Sequence, residues 1–220
     1  MGKFVSTEAL AAVGSTGTIN FMILGFMTGL MAGITVLTSQ RFGAEDMRGM
    51  RRSVASAGMI AIAATIILTA ISLLGMHRLL VLMNTPDDIF DDAYRYIMII
   101  CAGILVQALY NLFACILRAL GNSKVPLYFL LFSASMNIIL DLVSIIVLKM
   151  GVAGAAYATV ISQGVSAVLC FIYMVKKVPI LHLTREDFHV EGRLIKNQLA
   201  VGLPMAFQYS ITAIGTTMVQ

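Results

Sequence analysis

One carboxylate, Asp141, lies inside a long apolar stretch and is the residue of this sequence that points most directly to chemistry. No other charged residue occurs between positions 125 and 148. An ionised side chain at the centre of a membrane helix costs at least about 2.5–3.5 kcal/mol, so such residues usually mark ion or proton pathways. Ser133, Asn137 and Ser144 share its helical face, because their spacing places all four residues within an arc of about 80°. We expect Asn137 and Asp141 to bind a proton or a small cation, whereas the serines fit hydrogen bonding between helices.

Polar side chains recur at helical spacing in three other apolar segments. They are Gln107, Asn111, Cys115 and Arg118 in one, Thr159, Ser162, Gln163 and Ser166 in the next, and Gln208, Thr212 and Thr216 in the last. A single stripe of this kind is more typical of packing between helices. Several stripes together favour helices around a polar cavity that water reaches, because separate polar faces in lipid would each be costly. The residues that we expect to line this cavity are Gln107, Ser133, Ser144, Gln163 and Gln208.

Long stretches with little or no charge are the elements that must position these side chains. Of the 220 residues, 59% are hydrophobic and 12% charged, against about 45–50% and roughly 25% in soluble domains. Each stretch reaches the roughly 20 residues that a helix needs to cross about 30 Å of hydrocarbon. The sequence therefore predicts an all-α polytopic membrane protein and excludes a soluble or disordered chain. Its six predicted transmembrane helices are 12–38, 53–75, 94–117, 126–148, 152–175 and 202–220.

The basic residues predict the orientation of these helices. Eleven of the 15 Lys and Arg residues lie in the connections 39–52, 118–124 and 176–196, and the other four lie on the opposite side. Because Lys and Arg concentrate in cytoplasmic loops, these three connections should face the cytoplasm and the N-terminus should lie outside. The net charge of +4 thus reflects topology, and no nucleic-acid partner is expected.

Several function classes find no support in the residue types present. The sequence has no G-x-x-x-x-G-K-[ST] phosphate loop, so the chain by itself is not expected to be an ATP-driven pump. Cys101, Cys115 and Cys170 all lie in apolar segments. We expect them to pack as small hydrophobic residues and to form neither a disulfide nor a metal cluster. No nucleophile–base pair occurs in the polar stripes, so an enzyme is the least expected class.

A glycine ladder, the last connection and the chain ends add three further expectations. Gly25, Gly29 and Gly33 form a ladder of small residues that lets another helix backbone approach closely. The stretch 176–198 mixes both charges with apolar residues, and we expect an interfacial linker that leads to a helix beginning near Gly202. The N-out start lacks a signal peptide and the last apolar run has no polar flank, which suggests a piece of a longer protein.

The ordered motifs of this chain resemble those of the multidrug and toxic compound extrusion family, called MATE. The motifs that carry the resemblance are Thr7–Gly14, Ser39–Ala44, Asn84–Pro86, Leu117–Pro126, Asn137–Asp141 and Gly151–Thr159. The resemblance implies a twelve-helix antiporter fold of two lobes. Residues 1–175 would form the N-lobe helices two to six, 176–201 the cytoplasmic linker between lobes, and 202–220 the start of the C-lobe. The family's first helix and nearly all of its second lobe would then be missing from this chain.

The resemblance also implies a site and a function. Asn111, Asn137, Asp141 and Thr159 match the positions around the N-lobe cation site of prokaryotic members, while a family acid on the first helix has no counterpart here. Some members carry a Glu near the position of Thr212, and its absence argues against a C-lobe coupling site of that type. The implied function is export of cationic amphipathic compounds across the cell membrane in exchange for H⁺ or Na⁺. No other cofactor is expected, and the implied partners are membrane lipid and a small organic cation.

Two alternatives stay open at this point. A flippase for lipid-linked precursors in the same superfamily would share the helix pattern, but it should carry basic residues within the cavity. The only basic residue on a polar stripe is Arg118, at the cytoplasmic end. The second alternative is a truncated, inactive membrane protein in which Asp141 is merely buried and paired.

Overall fold

A computed structural model describes the backbone of residues 7–82, 85, 87–189 and 191–218, and these residues form helices and short connections without a strand. The predicted all-α fold is therefore confirmed. The eight α-helices are α1 Thr7–Ile34, α2 Val36–Gly43, α3 Met47–Leu82, α4 Asp87–Ala102, α5 Ile104–Ala119, α6 Lys124–Leu142, α7 Gly151–Lys177 and α8 Gly192–Met218. A π-helical turn, Val143–Val147, extends α6, and two 3-10 turns, Pro179–Leu181 and Arg185–Phe188, connect α7 to α8.

Four stretches of the described helices are long and apolar enough to cross a bilayer. They are Ile19–Gly43, Met47–Arg78, Lys124–Val147 and Gly151–Lys177, and the bent pair α4–α5 makes a fifth if it counts as one span. These five correspond to the first five predicted segments. The sixth predicted segment, 202–220, falls within α8, but the described part of α8 is not one of these candidate spans, and Val219 and Gln220 lie outside the described residues, so this crossing remains a prediction. The chain is a multi-pass membrane protein.

The bend between α4 and α5 is a feature that the apolar pattern did not predict. The two helices meet at Gly103 with an angle of 46°. The side chain of Val160 on α7 occupies the space that a side chain at Gly103 would need. The Gly103 amide is shared between the carbonyl oxygens of Ile99 and Ile100, each at 3.0 Å, so the chain turns without leaving this amide unpaired.

Helix α1 packs against α8 through the predicted glycine ladder. Gly29 lies against the backbone of Met205 and Ala206, and Gly33 lies against Gly202. A methyl group on Gly33 would stand 2.5 Å from the Gly202 Cα atom, which only the absence of a side chain permits. The predicted close approach of another backbone to this ladder is confirmed for Gly29 and Gly33.

The expected start of the last helix near Gly202 is wrong. Helix α8 begins at Gly192, and Pro204 lies inside it. Tertiary contacts explain the earlier start of α8. The buried amide of Gln198 donates hydrogen bonds to the carbonyl oxygens of Ile34 and Ser53, both at 2.9 Å. These bonds hold the first turns of α8 against the ends of α1 and α3, which outweighs the helix-starting signal of Gly202 and Pro204.

The 3-10 turn Arg185–Phe188 is attached to the N-terminal end of α3. Asp187 is buried, and its carboxylate accepts hydrogen bonds from the Thr184 amide at 2.8 Å and the Thr184 hydroxyl at 2.9 Å. The Arg51 Nε atom lies 3.7 Å from the same oxygen. The hydrogen bond from the Thr184 backbone, together with Arg51 and Arg52, holds the pKa of Asp187 below its usual 3.8.

Candidate ion-coupling site

Asn137 and Thr159 meet where α6 packs against α7. The Asn137 Nδ2 atom donates to the Thr159 Oγ1 atom at 3.4 Å, and Thr159 donates in turn to the Ala155 carbonyl at 3.0 Å. All of these groups are partly buried. Two of the four predicted coupling residues are therefore in direct contact, and the side-chain carbonyl of Asn137 is left available as an oxygen ligand.

Asp141 lies one helical turn beyond Asn137 on α6 and is half-buried. Its Oδ1 atom is fully buried and has no hydrogen-bond partner in the part of the chain that the structure describes. A buried carboxylate oxygen without a donor is costly, because the desolvation of a charged acceptor is not compensated. A proton or a small cation would supply the missing partner, so the residues present fit such an ion.

Asn111 is the predicted coupling residue that the structure does not join to the others. Its Nδ2 atom donates to the Gln107 carbonyl of its own helix, α5, at 3.0 Å. Among the described residues, no hydrogen bond connects Asn111 with Asn137, Asp141 or Thr159. Its place in the coupling site remains a prediction.

The helix that carries Asp141 changes its hydrogen-bonding pattern immediately after it. The π-helical turn begins at Val143, where the Leu148 amide donates to the Val143 carbonyl at 3.0 Å. Ser144 in this turn lies against Gly154 of α7, where an added methyl group would stand 2.9 Å from the Ser144 Cβ atom. Such π-helical turns frequently occur at functional sites.

The five residues predicted to line a polar cavity differ in their burial and lie on α5, on α6 with its π-helical extension, on α7 and on α8. Gln107 is buried with both side-chain polar atoms unpartnered among the described residues, and Ser133 and Ser144 are buried. Gln163 is half-buried and Gln208 is exposed. The shared cavity and the role of the serines in hydrogen bonding between helices remain predictions.

The described residues offer oxygen ligands at this site and no transition-metal cluster. No group of three or more His, Cys, Asp or Glu side chains gathers anywhere in the described part of the chain. Cys101, Cys115 and Cys170 are all buried, which confirms the prediction that they are packed residues. Carboxylate, amide and hydroxyl oxygens are hard ligands that suit a proton or Na⁺.

Comparisons with known proteins agree with this architecture. The family model described as MatE matches residues 1–143. The probable multidrug resistance protein YpnP of Bacillus subtilis is 32% identical over 212 residues, which cover 96% of this chain and 47% of YpnP. The probable multidrug resistance protein NorM of Thermotoga maritima is 26% identical over 224 residues, covering 97% of this chain and 47% of NorM.

Solved structures share the fold. The inward-facing conformation of a multidrug resistance MATE family transporter of the MOP superfamily superimposes with a TM-score of 0.88 at 27% identity, over 94% of this chain and 48% of that one. A MOP superfamily transporter from Pyrococcus furiosus, described with a binding pocket of reverse polarity, gives the same TM-score and identity, over 94% of this chain and 47% of that one. The chain thus spans about half the length of the relatives that it matches. From its sequence match and its fold, we conclude that the chain belongs to the MatE family.

Proposed function

We propose that this chain provides the ion-coupling lobe of an antiporter that exports cationic amphipathic compounds in exchange for H⁺ or Na⁺. The observation that carries the proposal is the buried Oδ1 atom of Asp141, which has no partner among the described residues and lies one helical turn from the Asn137–Thr159 contact. The names of the relatives, probable multidrug resistance proteins, support export of organic compounds. The half-length coverage leaves substrate binding to be shared with residues outside this chain.

The proposed coupling of ion entry to export rests on the free-energy cost of burying the charged Asp141 carboxylate. When a proton or Na⁺ binds from outside, the carboxylate is neutralised and its desolvation penalty falls. The balance between outward-open and inward-open arrangements changes by as much as the ion's affinity differs between them. One charge that moves inward gains about 2.3 kcal/mol per 100 mV, which offsets the equal electrical cost of moving one positive charge of the substrate outward, so a one-for-one exchange is driven by the concentration gradient of the ion. Rocking of one lobe against the other would carry the exchange.

The proposal is tested by ethidium accumulation in efflux-deficient cells that express the full-length gene product. We expect cells with the wild-type protein to accumulate less ethidium than empty cells, and Asp141→Asn to abolish the difference. Collapse of the ion gradient should have the same effect as the mutation. Asp92→Asn is the matched control, because Asp92 is an exposed acid on α4 and its neutralisation should leave export unchanged.

Export that persists in Asp141→Asn at the wild-type level would contradict the proposal. Asp141 would then have a structural role, and the coupling ion would bind elsewhere. Immunoblotting of the membrane fraction must show equal amounts of the wild-type and variant proteins, so that a loss of export reports on coupling and not on expression.

A further inference from the structure

A cavity with polar walls lies between α1, α2, α5 and α8, and Asp141 is not among the residues that line it. Its volume is about 370 Å³. Four helices contribute polar side chains to its walls, which are Thr28, Thr35, Ser39, Cys115, Arg118 and Tyr209. The predicted orientation of the helices places the Arg118 end of α5 on the cytoplasmic side. The cavity therefore faces the compartment from which an exporter takes its cargo.

Arg118 is the charged residue of this cavity, and it has no ionic partner there. Its Nη2 atom donates to the Cys115 Sγ atom at 3.2 Å, and a thiol is a weak acceptor. None of the described residues that line the cavity is an aspartate or a glutamate. A guanidinium group has five N–H donors in a planar fork, so most of its donor capacity is left for a ligand.

Helix electrostatics and membrane topology explain why a basic residue occurs in the last turn of α5, but they do not explain the polar cavity around Arg118. A basic residue there complements the helix dipole and obeys the positive-inside tendency. The contact with Cys115 follows from the usual direction of helical side chains, but neither effect explains why the exposed Arg118 side chain lines a cavity with hydroxyl groups from α1, α2 and α8. A guanidinium group in such surroundings matches the carboxylate and phosphate oxygens that Arg binds in a bidentate manner.

We propose that this cavity binds the carboxylate or phosphate group of an amphipathic organic molecule, with Arg118 as the anion ligand. The inference rests on the proposed function in taking the bound molecule to be cargo. Binding itself is measurable without transport.

Fluorescence polarisation with two related dyes tests the proposal. One probe is a rhodamine with a free carboxylate, and the other is the methyl ester of the same dye, which keeps the positive charge and the shape. We expect the purified full-length protein to bind the free acid more tightly than the ester. Arg118→Gln should weaken binding of the acid by about tenfold, the value of one charge-assisted hydrogen bond, and binding of the ester by less than about twofold.

Two further variants sharpen the test. Arg118→Lys keeps the charge but not the planar fork, and should restore part of the preference for the acid. Lys124→Gln removes an exposed positive charge at the start of α6, on the same side of the membrane, and should leave the ratio of the two affinities unchanged. The ratio of the affinities for the acid and the ester distinguishes recognition of the anion by Arg118 from a general loss of positive electrostatic potential.

The proposal is overturned if Arg118→Gln leaves the ratio of the two affinities at its wild-type value, or if the wild-type protein binds neither dye. A lower thermal stability of Arg118→Gln with an unchanged ratio also overturns it, because Arg118 would then pair with an acid of the protein itself. If ethidium export proves independent of Asp141 while the acid preference still depends on Arg118, the proposed coupling fails and the anion site stands.

Discussion

The contact between Gly33 and Gly202 predicts that a single methyl group added at Gly33 will force α1 and α8 apart. The Cβ atom of Ala at this position would lie 2.5 Å from the Gly202 Cα atom and 3.0 Å from both the Gly202 nitrogen and the Val201 carbonyl oxygen. Carbon atoms in ordinary contact are about 3.5–4.0 Å apart, so the helices must separate by roughly 1 Å. The neighbours are backbone atoms, which have no rotamer that would relieve the clash.

The cost of this separation can be bounded. Overpacking in a dense interior typically costs about 1–3 kcal/mol. Replacing glycine by alanine inside a helix recovers about 0.5–1 kcal/mol of backbone entropy, so the net loss is about 1 kcal/mol at the middle of these ranges and at most about 2.5 kcal/mol. At about 2–4 °C per kcal/mol for a protein of this size, the Tm of Gly33→Ala should fall by roughly 2–4 °C and by no more than about 10 °C.

A thiol-reactive fluorogenic dye is a suitable assay of this prediction, because Cys101, Cys115 and Cys170 are all buried and become reactive on unfolding. Gly17→Ala is the matched control on the same helix, since no described atom lies within 4 Å of its added methyl group. The control should have an unchanged or slightly higher Tm. A Tm of Gly33→Ala equal to or above that of Gly17→Ala would refute the close contact between α1 and α8.

Two other predictions concern the attachment of the segment between α7 and α8, and the same dye assay measures both. Asp187→Asn should lower the Tm at pH 7 by about 2–4 °C, corresponding to about 1 kcal/mol. Because the folded pKa of Asp187 lies below 3.8, this stabilisation is complete above the unfolded value and is lost as the pH falls through the folded pKa, so wild type and variant should converge in acid. The Tm values in acid are measured by circular dichroism, because the dye reacts only with the thiolate. Glu186→Gln removes only the exposed ion pair with Arg48 and should change the Tm by less than about 2 °C, so an equal effect of both substitutions would contradict the role of Asp187. Gln198→Leu should lower the free energy of unfolding by about 1–3 kcal/mol, because the Ile34 and Ser53 carbonyl oxygens lose a buried donor. Gln208→Leu, at an exposed position of α8, is the control and should have little effect on the Tm. Equal Tm values for these two variants would show that the Gln198 bonds contribute nothing.

Much of the fold was predictable because charge is costly in hydrocarbon. The charge-poor stretches gave the membrane segments, and the glycine ladder indicated where a second backbone would approach. The 46° bend at Gly103 was not predictable, because it depends on Val160, which is distant in sequence. The start of α8 was mispredicted for a similar reason, since its first turns are held by bonds from Gln198 to α1 and α3.

The candidate site was predictable where one helix carries the pattern. The shared face of Asn137 and Asp141 on α6 follows from helical periodicity alone, and the contact of Asn137 with Thr159 on α7 was implied by the family resemblance. The cavity around Arg118 was not predictable, because helices distant in sequence form its walls.

The central claim is that the carboxylate of Asp141 couples ion entry to export. Proteoliposomes containing the full-length protein test it most directly, when ethidium movement and the internal H⁺ or Na⁺ concentration are recorded in the same vesicles under an imposed ion gradient. We predict that the wild-type protein moves ethidium against the ion flux, and that Asp141→Asn loses both movements while it still binds ethidium. Ion-driven ethidium transport by Asp141→Asn at the wild-type rate would contradict the account.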